Sequence, residues 1–96
     1  MSRAVVVRYR VRPEAVEENV RLVGAVYDEL AEKRPAGLRY STVRVDGTTF
    51  VHVAVLETEA NPLNDIAAFK AFTASISERC ETGPEASGGE LIGSYG

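Results

Sequence analysis

The sequence predicts an α+β fold in which two helices cover one face of a four-stranded antiparallel sheet. Three observations support this prediction. A β-branched run at residues 4–11 is followed by a helical pattern, an Asp46-Gly47 pair divides two apolar runs within residues 38–57, and a second helical pattern comes after them. The order of elements is therefore strand, helix, strand, strand, helix, strand.

The spacing of apolar residues predicts the first strand and the first helix. Alternation within residues 4–11 places four side chains on one face of the strand: Val5, Val7, Tyr9 and Val11. Pro13 suits the first turn of a helix, and apolar residues then recur at helical spacing, at Val16, Val20, Val23, Tyr27 and Leu30. We expect an amphipathic helix of about five turns that ends before Pro35.

Asp46-Gly47 predicts a tight hairpin, because both central residues of a type I′ turn need a positive φ, which Gly adopts without a steric penalty. A loop of two residues fixes the register of four pairs: Val45 with Thr48, Val43 with Phe50, Ser41 with His52, and Arg39 with Ala54. This register places His52 and Tyr40 on opposite faces of the sheet.

The second helix is predicted after Asn61-Pro62, which offers a cap followed by a first-turn proline. Its apolar stripe is widened by Phe72 and consists of Ile66, Phe69, Thr73, Ile76 and Cys80. Residues 81–89 contain three glycines and a proline, so we expect a loop there. The last strand is predicted at residues 90–95.

Few arrangements of these six elements are compatible with short connections, and the simplest is the split βαβ, or ferredoxin-like, sandwich with strand order 4-1-3-2. We expect the helix-side face to hold Val5, Val7, Tyr9, Val11, Leu38, Tyr40, Val51, Val53 and Val55. The other face keeps an apolar patch of Val6, Val43, Val45, Phe50, Ala54 and Leu56. At about 25 cal/mol/Å², leaving this patch in water forfeits several kcal/mol, so we expect a second copy of the chain to cover it in a homodimer.

The composition is that of one small acidic domain spanning residues 1–96. Eleven Lys and Arg against fourteen Asp and Glu give a net charge of −3, so we expect neither nucleic acid nor an anionic membrane as a partner. The single cysteine, Cys80, excludes an internal disulfide, and one histidine without a second ligand nearby predicts no metal site. No apolar run is long enough to span a membrane, and a cytoplasmic location is expected.

Several features of the chain together resemble one protein family. The first strand ends in Val-Arg-Pro-Glu before a long helix, Gly37 precedes the hairpin, Glu57 closes the third strand, and a short helix with Phe69 and Phe72 follows. This pattern resembles the dimeric α/β-barrel group of ferredoxin-like proteins, near its antibiotic biosynthesis monooxygenase-like members.

The resemblance implies a homodimer with sheets packed face to face, and a pocket between the sheet and the helices of each protomer. It also implies a choice of activities, since such proteins include cofactor-independent oxygenases, haem-degrading enzymes and isomerases. The chain has no Trp, and Phe69 or Phe72 stands where many family enzymes have a histidine, which disfavours haem degradation. We expect a cofactor-independent monooxygenase acting on an aromatic or phenolic metabolite; the alternative is a non-enzymatic module that binds a small molecule or packs against a partner.

Two groups of residues are candidates for a site. The first group is aromatic and points, by periodicity, between the sheet and the helices, where it either lines a pocket for a flat apolar ligand or fills the core: Tyr9, Tyr27, Tyr40, Phe69 and Phe72. The second group is predicted on the dimer-facing side of the sheet: His52, Ser41, Arg8, Arg10 and Arg39. There His52 either orients a substrate or acts as a base, or simply packs at the interface, and the arginines either bind an anion or pair with acidic residues of the second copy.

Overall fold

The computed structural model describes residues 3–95. Its strands are β1 (Arg3–Val11), β2 (Leu38–Val45), β3 (Thr49–Leu56) and β4 (Cys80–Glu90), and its helices are α1 (Val16–Lys33), α2 (Ala67–Ala74) and α3 (Ile76–Arg79). Short 3₁₀ turns, Pro13–Ala15 and Pro62–Asp65, precede α1 and α2. All neighbouring strands are antiparallel, in the order β2-β3-β1-β4. Read from the other edge this is the predicted order 4-1-3-2, so the predicted ferredoxin-like fold is confirmed.

The hairpin loop contains three residues instead of the predicted two. Asp46 and Gly47 have the expected positive φ values of 53° and 82°, but Val45 pairs with Thr49. The intervening Thr48 is held elsewhere, because its carbonyl accepts a hydrogen bond of 3.0 Å from the backbone N–H of Val11 at the end of β1. A shift of one residue turns every side chain of β3 to the opposite face.

The prediction for the two faces of β3 was therefore wrong. His52 pairs with Thr42 and with Val7, which places it on the helix side of the sheet. The same alternation brings Phe50, Ala54 and Leu56 to the helix side. It moves Val51, Val53 and Val55 to the face away from the helices, hereafter the outer face. The outer face keeps an apolar character, since these valines join Val6, Val43 and Val45 there.

The predicted loop at residues 81–89 is instead most of strand β4, which pairs with β1 at the edge of the sheet. An edge strand tolerates proline, because one of its sides makes no ladder hydrogen bonds. Gly83 has a φ of 87°, and a Cβ at this position would lie 3.0 Å from the carbonyl oxygen of Arg8, so glycine permits the close approach of the two strands. The last strand was thus predicted too late, and residues 91–95 have no regular structure.

Helix α1 lies on the sheet through a face rotated from the predicted stripe. Val23 and Val26 are buried as core residues, whereas the predicted Val20 is 45% exposed. Asn19 takes its place and is completely buried. The helix ends at Arg34, whose φ is 47° and whose N–H bonds the carbonyl of Leu30, in an αL cap.

The predicted second helix is divided at Ser75 into α2 and α3. A carboxylate of α1 holds the start of α2, since Glu29 accepts hydrogen bonds from the backbone N–H groups of Ala67 (3.0 Å) and Ala68 (2.8 Å). Lys33 lies 2.7 Å from the same carboxylate. The hydrogen bond from Lys33, with those from the two amides, lowers the pKa of Glu29 to about 2. The two helices are therefore tied together above the sheet.

No helix of the described part of the chain is long and apolar enough to cross a membrane.

Candidate functional site

A cavity of about 290 Å³ lies between the helices and the sheet. Val5, Val7 and Ala54 form its floor on the sheet, and Phe69, Phe72 and Ile76 cover it from α2 and α3. The remaining lining residues are Tyr40, His52, Asn61, Leu63, Thr73, Pro84 and Ala86. Most of this wall is apolar, so the cavity suits a flat apolar molecule with few polar atoms.

His52 lies at the wall of this cavity and is only 3% exposed. Its Nε2 atom is 2.7 Å from the hydroxyl oxygen of Tyr9, and its Nδ1 atom is 2.5 Å from that of Tyr40. The hydroxyl of Thr42 is also within 3.1 Å of Nδ1. Burial lowers the pKa of His52 to about 4. The imidazole is therefore neutral near neutral pH, with one nitrogen that donates a hydrogen bond and one that accepts.

A chain of polar groups continues from His52 into the core. Asn19 donates a hydrogen bond of 2.9 Å from Nδ2 to the hydroxyl of Tyr9, and Arg79 donates one of 3.0 Å from Nε to Oδ1 of Asn19. Arg79 is 6% exposed. It also donates to Oγ of Ser75 and to the carbonyl of Phe72, at 2.6 and 3.1 Å. The acceptors described around this buried guanidinium are thus all neutral.

Aromatic rings surround the histidine and fix its position. Phe72 contacts the imidazole with a centroid distance of 5.3 Å, and Tyr27 stacks on Tyr40 at the same distance. Phe69 meets the Tyr40 ring edge-on at 6.4 Å. Burial raises the pKa of Tyr9 to about 12 and also raises the pKa of Tyr40. Both hydroxyls therefore remain protonated and available as hydrogen-bond donors.

The structure separates the predicted aromatic group into three positions. Tyr40, Phe69 and Phe72 line the cavity. Tyr9 is bonded to His52 from within the core, and Tyr27 lies behind Tyr40, where its hydroxyl is 2.8 Å from that of Thr42. The space between sheet and helices is thus partly filled and partly open.

The predicted polar group does not form. His52 was placed on the dimer-facing side of the sheet, and this was wrong because the hairpin loop has a third residue, Thr48. Arg8, Arg10, Arg39 and Ser41 lie on the outer face and are exposed, so the thickness of the sheet separates them from His52.

Sequence reasoning missed Asn19, Arg79 and the contribution of β4. Asn19 lies four residues before Val23, so its helical spacing from that buried valine is the signal that could have found it. Arg79 directly precedes Cys80 at the end of the predicted second stripe, and nothing in its local sequence marks it as buried. Pro84 and Ala86 were missed because their segment was predicted to be a loop.

Known proteins share this fold. No protein-family model matches the chain, and neither does any curated protein sequence. Solved structures do match. A conserved protein from Methanosarcina mazei Go1 is 19% identical with a TM-score of 0.77, over 94% of this chain and 92% of its own.

Two further matching structures are of proteins named for an enzyme activity. A proposed antibiotic biosynthesis monooxygenase from Nitrosomonas europaea is 13% identical with a TM-score of 0.78, over 99% of this chain and 94% of its own. Another from Caulobacter crescentus CB15 is 15% identical with a TM-score of 0.76, over 96% and 91%. At these identities the similarity establishes the fold, and the predicted resemblance to antibiotic biosynthesis monooxygenase-like proteins is confirmed at that level.

Proposed function

We propose that this protein is a cofactor-independent monooxygenase that oxidises a small phenolic or aromatic metabolite in the cavity between the helices and the sheet. The observation that supports this most strongly is the pair of His52 and Tyr40, hydrogen-bonded to each other at the wall of an otherwise apolar cavity. The likeness in fold to proteins named as antibiotic biosynthesis monooxygenases is in accord with it.

The volume and chemistry of the cavity limit the substrate. About 290 Å³ lies just below the range for ligand pockets, which is roughly 300–1,000 Å³. This size favours a molecule of about two fused rings over a larger polycycle. A flat ring bound in the cavity would lie among Phe69, Phe72 and the β1 residues Val5 and Val7, which line it. An oxygen of the substrate would lie against the hydroxyl of Tyr40.

The reaction needs no electrons beyond those of the substrate. A phenol with a free para carbon and one dioxygen molecule give a para-quinone and one water molecule, so a ring C–H and the phenolic O–H are replaced by two carbonyls. The protein would hold the phenol beside dioxygen, exclude bulk water and stabilise charge on the phenolic oxygen through Tyr40. His52 would position Tyr40 through their 2.5 Å hydrogen bond.

One observation favours a second candidate function, binding without turnover. A histidine whose pKa is about 4 is a weak base near neutral pH, so the cavity lacks an efficient general base in this imidazole. A phenol that is hard to deprotonate would then bind and remain unchanged. Easily oxidised naphthols with a free para carbon distinguish the two functions, because positioning alone suffices for them.

Oxygen uptake with a panel of phenols and naphthols that have a free para carbon tests the proposal. We expect uptake by the unaltered protein, and its loss in Tyr40→Phe, which removes the hydroxyl and keeps the ring. His52→Gln should reduce it, because Tyr40 is then held less firmly. Ser41→Ala, on the outer face, is the matched control and should retain full uptake. Uptake that is equal in all variants would place the reaction outside this cavity, and binding without uptake would favour the second function.

We also propose that the outer face is covered by a second copy of the chain. Val43 is 56% and Val45 38% exposed, and they continue into the half-buried Val51 and Val53. A monomer would leave this apolar strip in water. We expect sedimentation to show a dimer at micromolar concentration and a monomer for Val43→Glu. A stable monomer of the unaltered protein would contradict this proposal.

A further inference from the structure

Arg79, Asn19, Tyr9, His52 and Tyr40 form a series of hydrogen bonds. Arg79 determines which partner donates in each of them. A guanidinium can only donate, so Oδ1 of Asn19 must be the atom that accepts from Arg79. This orients the amide, and Nδ2 of Asn19 consequently donates to the hydroxyl oxygen of Tyr9. Asn19 therefore accepts from Arg79 and donates to Tyr9.

The same reasoning determines which nitrogen of His52 accepts a hydrogen bond and which donates one. Tyr9 is 2% exposed, and a buried hydroxyl hydrogen without an acceptor costs about 1–3 kcal/mol. The acceptor that Tyr9 faces is Nε2 of His52, at 2.7 Å. Because the imidazole is neutral, its one proton is on Nδ1, and Nδ1–H donates to the hydroxyl oxygen of Tyr40. Tyr40 therefore accepts a hydrogen bond from the core and keeps its own hydrogen for another partner.

We infer that Asn19 and Arg79 make the cavity a donor site, in which Tyr40 offers its hydroxyl hydrogen to an oxygen that accepts. The ligand class is a small aromatic molecule with a carbonyl or an ionised oxygen. A neutral hydroxyl that must itself donate would leave its hydrogen unpaired among apolar side chains. Asn19 and Arg79 touch no ligand; they are positioning residues. The inference rests on the proposed function only in taking this cavity as the binding site, and it requires no turnover.

Among the residues that the structure describes, Thr42 is the competing partner that needs a control. Its hydroxyl oxygen is 3.1 Å from Nδ1 of His52 and 2.8 Å from the hydroxyl of Tyr27. If Tyr40 gave its hydrogen to Thr42, the cavity would lose its donor. Thr42→Val removes this acceptor while keeping a β-branched side chain of similar size. The variant therefore shows whether the hydroxyl hydrogen of Tyr40 is donated to Thr42 or to a ligand in the cavity.

Asn19→Asp should reverse the direction of each hydrogen bond between residue 19 and Tyr40. A carboxylate still accepts from Arg79, but its second oxygen accepts from Tyr9 where the amide had donated. Tyr9 then accepts from Nε2–H of His52, Nδ1 loses its proton, and Tyr40 donates to Nδ1. The cavity would present a lone pair in place of a hydrogen and would select ligands that donate. One isosteric substitution outside the cavity thus exchanges the ligand preference.

The tautomer of His52 gives a test that needs no ligand. The chain has one histidine, so a protein labelled with ¹⁵N-histidine gives a spectrum that belongs to this residue alone. We expect the proton on Nδ1 in the unaltered protein and on Nε2 in Asn19→Asp. A proton on Nε2 in the unaltered protein would overturn the inference even if the variant failed to fold.

Ligand preference is measured in parallel with α-tetralone, which can only accept, and α-naphthol, which also donates. We expect the unaltered protein to bind α-tetralone about tenfold more tightly, and Asn19→Asp to prefer α-naphthol. Tyr40→Phe should bind both about equally, and Thr42→Val should keep the original preference. A preference for α-naphthol in the unaltered protein, or its appearance in Thr42→Val, would overturn the inference. Oxygen uptake is a separate readout, so the proposed reaction can fail while this preference stands.

Discussion

His52 should make the folding stability of this protein depend on pH in a defined window. Burial among neutral partners lowers its pKa from the usual 6.5 to about 4 in the folded state. Between these two pH values the unfolded chain binds a proton that the folded protein does not bind. The free energy of unfolding therefore rises with pH across the window, and stability is lost as the pH falls from about 6.5 toward 4.

The size of the effect follows from the shift of the pKa. One pKa unit corresponds to about 1.4 kcal/mol, so the full window amounts to about 3 kcal/mol. Between about pH 7 and pH 5 the loss should be about 2 kcal/mol, because the folded imidazole stays neutral at both ends of this range. Glu29 adds nothing within it, since a carboxylate whose pKa is lowered to about 2 contributes stability that is lost only below its unfolded value of 4.5.

Urea unfolding at several pH values between about 7 and 5 measures this dependence. His52→Gln is the matched variant, since its amide both donates and accepts but does not titrate. We expect the slope of unfolding free energy against pH to be largely absent in the variant, although the variant is less stable near neutral pH. Equal slopes in the two proteins would refute the argument, because the chain contains no other histidine.

Three further predictions concern the framework of the site. Gly24 is exposed within α1 with open space around it, so Gly24→Ala should raise the unfolding free energy by about 0.5–1 kcal/mol; a lower melting temperature would contradict this. Gly47 has a φ of 82°, so Gly47→Val should cost about 1–3 kcal/mol, and Gly47→Asn, which tolerates that conformation, should cost less; similar melting temperatures for both variants would show that the turn adapts. Glu29→Gln should speed hydrogen exchange at the amides of Ala67 and Ala68, since a charged acceptor is lost there; unchanged exchange would mean that this contact does not hold α2.

The order of elements was predictable from the sequence because each element has its own periodicity. Alternation in β1, helical spacing from Val16 to Leu30, and the Asp46-Gly47 turn are local signals, and together they allow few topologies. The fold of the protein follows from these signals without any tertiary information.

The register of β2 with β3 was not predictable from the local sequence, because it depends on a contact between residues that are distant in the sequence. Thr48 belongs to the loop because its carbonyl bonds Val11, which is 37 positions earlier in the chain by their numbering. The local turn signal is the same for loops of two and three residues. The error of one position therefore reversed β3 and moved His52 from the cavity to the wrong face.

The last strand was missed for a related reason. Glycine and proline disfavour a strand on local grounds, yet Gly83 and Pro84 are accommodated at the edge of the sheet. The burial of Arg79 likewise depends on Asn19, which lies 60 positions away. The aromatic part of the site was thus visible in the sequence, whereas its polar chain appears only after the fold is assembled.

The proposed function requires that a small aromatic ligand bind between the helices and the sheet, beside Tyr40 and His52. The most direct test is to measure magnetisation transfer between bound α-tetralone and the methyl groups of the protein. The cavity predicts transfer to Val5, Val7 and Ala54, which line it. Transfer to Val43, Val51 and Val53 would place the ligand on the outer face and would contradict the claim, as would the failure of every aromatic compound in the panel to bind.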